Sequence, residues 1–143
     1  MTSDTKNILL VEDNVVAREG LAVVLRRAGH EVALAENGLE ALNYLRDKPT
    51  PQVILLDMHL PVLDGWHFLE KVSGVPVDPK PAIVLTTGNP LIGRDWAVAH
   101  GCGLVRKPIE PDALFAAIRV ATSAVNEPKD ALASADLDED DGM

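Results

Sequence analysis

Five short apolar runs recur between residues 7 and 125, separated by stretches in which apolar and polar positions follow helical spacing. The runs are Asn7 to Val11, Glu31 to Ala35, Val53 to Leu56, Ala82 to Leu85 and Gly103 to Arg106. Most are continuous in Ile, Val and Leu rather than alternating, the composition of strands covered on both faces in a parallel sheet. Between the first two runs, Ala17, Leu21, Val24, Leu25 and Ala28 fall on one face of a predicted helix that Gly29 would end. A second helix, using Ala41, Leu42 and Leu45, is predicted after Asn37-Gly38, and a third after Asp64-Gly65. Pro111-Asp112 starts a fifth, which would bury Leu114, Ala117, Ile118 and Ala121. The fourth, around Gly93 to His100, has a weak pattern. Val75 to Pro81 holds three prolines and reads as a loop. Strand and helix alternating in this way predict an α/β unit built on a mostly parallel sheet.

With 143 residues, of which 47% are hydrophobic and 24% charged, the chain has the size and composition of one globular domain. Aromatics are only 3%, so the core is expected to be aliphatic. The net charge of -9 is unevenly placed: residues 1–125 carry 15 acids and 12 bases, residues 126–143 seven acids and one base. The division expected is therefore a folded domain over 1–125 and an acidic, disordered tail over 126–143. Neither part offers the basic stripe that nucleic acid phosphates require, so no nucleic acid partner is expected. The longest charge-free stretch, Pro81 to Gly93, is too short and polar to cross a bilayer, and the first residues lack the regions of a signal peptide. The expected location is the cytoplasm, with no membrane partner. Cys102 is alone and reads as a packing residue.

In open parallel sheets, ligands bind beyond the carboxyl ends of the strands. There the chain carries Glu12-Asp13 after the first run, Asp57 after the third, Thr86-Thr87 after the fourth and Lys107-Pro108 after the fifth. Three carboxylates sharing a pocket repel unless a cation neutralises them, and hard oxygen donors suit Mg²⁺ or Mn²⁺. A carboxylate beside such a cation, a lysine and a hydroxyl has the parts to accept a phosphoryl group. Asp57 would be the nucleophile, Lys107 and the cation would neutralise charge, and the Thr86 hydroxyl would bond a phosphoryl oxygen. Asn14 reads as a helix cap. His30, His67 and His100 have no metal-ligand spacing, and Trp66 and Trp96 read as helix packing.

Ile8-Leu9-Leu10-Val11-Glu12-Asp13-Asn14, Val53 to Asp57 with Met58-His59-Leu60-Pro61 and Asp64-Gly65, Ile83-Val84-Leu85-Thr86 and Arg106-Lys107-Pro108 together resemble the response-regulator receiver domain of two-component and phosphorelay signalling. The resemblance covers residues 7 to about 121. It implies a flavodoxin-like (CheY-like) three-layer sandwich, with a five-stranded parallel sheet in the order 2-1-3-4-5 and five helices. It further implies that Asp57 is the phosphoacceptor and that Asp13, Asp57 and the main-chain carbonyl of His59 bind the metal directly. Glu12 would act through metal-bound water, and Thr86 and Lys107 would form the switch pair. The implied partners are a sensor histidine kinase or histidine phosphotransferase and a downstream protein. The chain is expected to be a stand-alone monomer whose only catalysis is its own phosphorylation and dephosphorylation.

Three positions depart from the common pattern of the family. Leu104 stands three residues before Lys107, where many receivers carry a Tyr or Phe that turns inward on activation. Thr87 follows the switch threonine where a small residue is usual, and its bulk is expected to narrow access to Asp57. His59 stands where families tune water access. Three other readings compete: a phosphorylation-independent interaction module, a receiver fragment of a hybrid histidine kinase, and an aspartyl-phosphate hydrolase of the haloacid dehalogenase type. The last commonly has a second Asp two residues after its nucleophile, where this chain has His59.

Overall fold

The computed structural model describes residues 5–60, 64–75 and 79–126. Segment 127–143, nearly all of the expected acidic tail, lies outside the described residues, as do 76–78 of the proline loop and 61–63, including Pro61. The elements run β1 (Asn7–Val11), α1 (Val15–Arg27), β2 (Glu31–Ala35), α2 (Gly38–Asp47), β3 (Val53–Asp57), α3 (Gly65–Val72), β4 (Ala82–Thr87), α4 (Arg94–Ala99), β5 (Cys102–Arg106) and α5 (Pro111–Asn126). Every pairing is parallel, and the strand order is β2-β1-β3-β4-β5. The sheet and five helices are those the pattern and the resemblance predict.

Strand periodicity builds the three layers. Successive side chains point to opposite faces, so Ile8, Leu10, Val53, Leu55, Val84 and Val105 pack on one side against Ala22 and Leu25 of α1 and Leu114 and Ile118 of α5. Leu9, Val11, Ile54, Leu56, Leu85 and Leu104 pack on the other, against Ala41, Leu42, Phe68 and Ala97 of α2, α3 and α4. Both faces are covered, which is why these runs are continuous in aliphatic residues. Burying them supplies the main drive for folding.

Caps fix the helix starts. Asn14 accepts from the Ala17 N–H at 2.8 Å, Asn37 from Glu40 at 2.8 Å and Asp64 from His67 at 2.9 Å. Gly29 follows α1 at φ +100°, a left-handed conformation in which a Cβ would also come within 2.9 Å of Thr5. Helix α4 is six residues long, and its N-cap Gly93 supplies no side-chain bond.

Three strands run further than the apolar pattern alone indicates; β5 starts one residue early, at Cys102, which pairs with Ile83. The ladder pairs Asp57 with Thr86 and Thr87 with Arg106, so β3 ends in Asp57 and β4 in Thr87. Polar residues here carry strand backbone because the neighbouring strand supplies hydrogen bonds whatever the side chain. Among the described residues no helix is long and apolar enough to cross a membrane.

Candidate functional site

Adjacent strands β1, β3 and β4 bring the predicted residues to one edge of the sheet. Val11 pairs with Leu56, which sets Glu12 beside Asp57, and Asp57 pairs with Thr86. Glu12 is held in line by its own N–H, which donates to Ala35 O at 3.1 Å. Ligand oxygens of Glu12, Asp13 and Asp57 all lie within 4.8 Å of one another. Glu12 is 2% exposed and Asp57 3%, whereas Asp13 is open to solvent.

Lys107, the residue that follows β5, meets this group. Its Nζ lies 3.4 Å from Glu12 Oε1 and 3.4 Å from Asp57 Oδ2. Its backbone is fixed by an N–H donating to Thr87 O at 3.0 Å. Backbone N–H groups occupy two more carboxylate oxygens: Asn14 donates to Glu12 Oε2 at 3.2 Å and His59 to Asp57 Oδ1 at 3.0 Å. Burial raises the pKa of Glu12, and the neighbouring Asp57 charge raises it further, against the lowering pull of the Asn14 N–H and Lys107. Among the described residues, one lysine and two N–H groups meet these carboxylates, and Arg18 reaches only the main-chain carbonyls of Glu12 and Asp13, so three carboxylates remain short of positive charge. An all-oxygen donor set with that deficit fits a hard divalent cation such as Mg²⁺.

Thr86 is buried, and its carbonyl accepts from Met58 N–H at 3.2 Å. Thr87 is fully buried, and its Oγ1 accepts from Asn89 N–H at 3.0 Å. Leu104 is 7% exposed and pairs with Leu85 among the aliphatic side chains under α4. The His59 side chain is exposed.

Residues read as structural are occupied structurally. His67 Nδ1 lies 2.8 Å from Asp64 Oδ1, and His100 Nδ1 lies 2.8 Å from Trp96 O. His30 Nδ1 accepts from Lys6 N–H at 3.0 Å. Trp66 of α3 and Trp96 of α4 meet edge to face at 4.9 Å, and His100 stacks on Trp96.

Two arginines at this edge have contacts that the sequence pattern does not predict, although Arg106 belongs to the Arg106-Lys107-Pro108 motif. Arg18 Nη1 donates to Glu12 O at 2.9 Å and to Asp13 O at 3.3 Å, bracing the acidic pair from α1. Arg106 donates to Asn89 O and Ile92 O in the β4–α4 connection. Both reach main-chain carbonyls, which leave no mark in residue type or spacing.

The sequence profile of the response regulator receiver domain matches residues 8–119. Transcriptional regulatory protein AfsQ1 of Streptomyces coelicolor is 35% identical over 114 residues, 79% of this chain and 49% of that protein. DNA-binding response regulator MtrA of Mycobacterium leprae is 31% identical over 140 residues, 94% of this chain and 60% of that one. This chain therefore spans roughly half the length of the curated relatives it matches. Among solved structures, a putative response regulator of Chloroflexus aurantiacus superposes with a TM-score of 0.74 at 28% identity, covering 83% of this chain and 98% of that one. The receiver domain of sensor histidine kinase PA1611 from Pseudomonas aeruginosa, described with magnesium coordinated in its active-site cleft, gives 0.73 at 28% identity with the same coverage. Profile, relatives and fold agree, and the chain belongs to the response regulator receiver domain family of two-component signalling.

Proposed function

We propose that this chain accepts a phosphoryl group on Asp57 from a phosphohistidine of a sensor histidine kinase or histidine phosphotransferase. The observation that carries this reading is a buried carboxylate at the end of a central strand, within 3.4 Å of a lysine and within 4.8 Å of two further carboxylates. An ionised carboxylate is already nucleophilic, so the step needs no general base. An Asp57 oxygen forms the bond to phosphorus as the P–N bond of the donor breaks. The imidazole nitrogen leaves with the electron pair and takes a proton from water. Asp13, Asp57 and the His59 carbonyl, with Glu12 acting through water, would hold Mg²⁺ or Mn²⁺. The bound metal would supply charge neutralisation for the phosphoryl oxygens.

The chain's own residues do the rest. Lys107, already beside Asp57 Oδ2, transfers its ion pair to a phosphoryl oxygen, and the Thr86 hydroxyl donates to another. Thr87 narrows the approach of donor and water to Asp57, and the His59 side chain tunes water access. Drawing Thr86 and Lys107 inward shifts a two-state equilibrium of the sheet edge and changes which downstream protein binds. The receiver unit acts as a cytoplasmic monomer, and its modest acidity favours a protein target over direct contact with nucleic acid. Its catalysis is limited to its own phosphorylation and the slow hydrolysis that reverses it.

Intact mass after incubation with acetyl phosphate tests the reading. The expected result is one hydroxylamine-labile phosphoryl adduct that requires Mg²⁺ and is missing in Asp57→Asn. No adduct from either acetyl phosphate or a phosphohistidine donor, with Mg²⁺ binding demonstrated, would move the function to a phosphorylation-independent interaction module.

A further inference from the structure

Arg106 ends β5, opposite Thr87 in the ladder and immediately before Lys107. Lys107 Nζ reaches the buried carboxylates, whereas Arg106 reaches the connection between β4 and α4. Its Nη1 donates to Asn89 O at 2.7 Å and its Nη2 to Ile92 O at 2.5 Å. A guanidinium holds two acceptors at once in a fixed fork, which an ammonium does not. The same connection is tied to the acidic edge by Asn89 N–H donating to Thr87 Oγ1, and by Lys107 N–H donating to Thr87 O, both at 3.0 Å. Ile92 is buried, whereas Leu91 between the two gripped carbonyls is 88% exposed.

Helix α4, which follows, has six residues and no side-chain cap at Gly93. So short a helix has little stability of its own and sits where its ends are held. Trp96 and His100 hold the far end through their stack and the edge-to-face contact with Trp66. Arg106 holds the near end. Leu104, at the position where many receivers carry an aromatic switch residue, is aliphatic, buried and without a polar group to offer.

We propose that Arg106 is the positioning residue that couples the phosphoacceptor edge to α4 in this chain, through its fork on the carbonyls of Asn89 and Ile92. The inference rests on phosphorylation of Asp57. When Lys107 and Thr86 are drawn toward a phosphoryl oxygen, the end of β5 moves with Lys107, and Arg106 is its next residue. The carbonyls that Arg106 grips then carry the displacement to Gly93 and the start of α4.

The chain supplies its own reporter, since its two tryptophans meet across the α3–α4 boundary. The test compares the full chain with Arg106→Ala and Arg106→Lys in Mg²⁺, reading phosphoryl adduct by intact mass and tryptophan emission before and after acetyl phosphate. In the wild type, an adduct accompanied by an emission change is expected. Arg106→Ala is expected to form the adduct within about twofold of wild type and to lose most of the emission change. Amide exchange over Leu91 to Ala97 should rise by at least about tenfold in Arg106→Ala, the solvent exposure of Arg106 reducing the effect of losing two charge-assisted bonds. Arg106→Lys keeps the charge but not the fork and should fall between, and it serves as the test variant if the alanine variant fails to fold by circular dichroism. An adduct without an emission change in the wild type, or an emission change that survives both substitutions in full, overturns the coupling and leaves the phosphorylation reading standing. No adduct on the wild type overturns that reading and this inference with it.

Discussion

Lys107 Nζ stands 3.4 Å from Asp57 Oδ2, a contact between the end of one strand and the residue after another two places away in the sheet. The same ammonium is 3.4 Å from Glu12 Oε1, so one cation sits against two buried carboxylates. Lys107→Met removes it and leaves their repulsion uncompensated. Without metal, the variant should lose about 1–2 kcal/mol in urea unfolding, a figure reduced because the lysine side chain is one-third exposed. Mg²⁺ should bind the variant more tightly than the wild type, because the metal no longer approaches a resident positive charge. Calorimetric titration showing weaker Mg²⁺ binding in Lys107→Met would refute this account of the charge balance.

Glu12 gives the site a pH dependence of defined sign. Its folded-state pKa is raised above 4.5, chiefly by burial and then by Asp57. In the folded state the charged form is therefore disfavoured. Its cost is absent below the unfolded pKa and appears as pH rises through the folded value. In EDTA, Glu12→Gln should melt above the wild type at neutral pH, and the difference should vanish as pH falls below 4.5. Mg²⁺ should raise the wild-type midpoint at neutral pH by more than that of the variant. Thermal scans from acid to neutral pH, with and without Mg²⁺, check both parts; a wild type that gains stability over Glu12→Gln with rising pH in EDTA would reverse the sign.

The central strands were legible because burial on both faces leaves continuous runs such as Val53 to Leu56. Asp57 was conspicuous because it ends one of them. The ends of β3 and β4 were not, because the pairing of Thr86 and Thr87 depends on a neighbouring strand rather than on their own side chains. Helix α4 was faint for a related reason: of its six residues only Ala97 is fully buried, and its position comes from Arg106, Trp66 and His100. The roles of Arg18 and Arg106 rest on main-chain carbonyls brought near by folding, which no spacing rule encodes. Likewise the raised pKa of Glu12 requires knowing that folding buries its carboxylate and then that Asp57, forty-five positions later, lies beside it.

Gly65 is a close-approach glycine at the start of α3. A Cβ there would lie 2.7 Å from the Met58 Cα and 2.6 Å from its Sδ, and Gly65 N–H donates to Met58 O at 3.2 Å. Since backbone is the obstacle, Gly65→Ala must displace the segment that also carries His59. About 1–3 kcal/mol of destabilisation is expected, together with weaker Mg²⁺ binding. Gly20, exposed in α1 with nothing within 4 Å of its would-be Cβ, is the control, and Gly20→Ala should stabilise by about 0.5–1 kcal/mol. Equal effects of the two substitutions in chemical unfolding would contradict the packing described at Met58.

Cys102 opens β5 beside the end of α4, 8% exposed, with its Sγ donating to His100 O at 3.4 Å. Burial pushes its thiol up to about 11 from 9.0. Because the thiolate is the nucleophile, that rise alone slows alkylation on the order of a hundredfold relative to the unfolded chain at neutral pH. Restricted access slows it further, so labelling should follow opening of the α4–β5 region rather than solvent exchange at the surface. Iodoacetamide labelling followed by mass should therefore be slow in the native protein and complete within minutes in denaturant. Arg106→Ala, which frees the other end of α4, should label faster than wild type under conditions where both proteins are fully folded by circular dichroism. Equal labelling rates in the two proteins would mean that α4 is held at its near end by something other than the Arg106 fork.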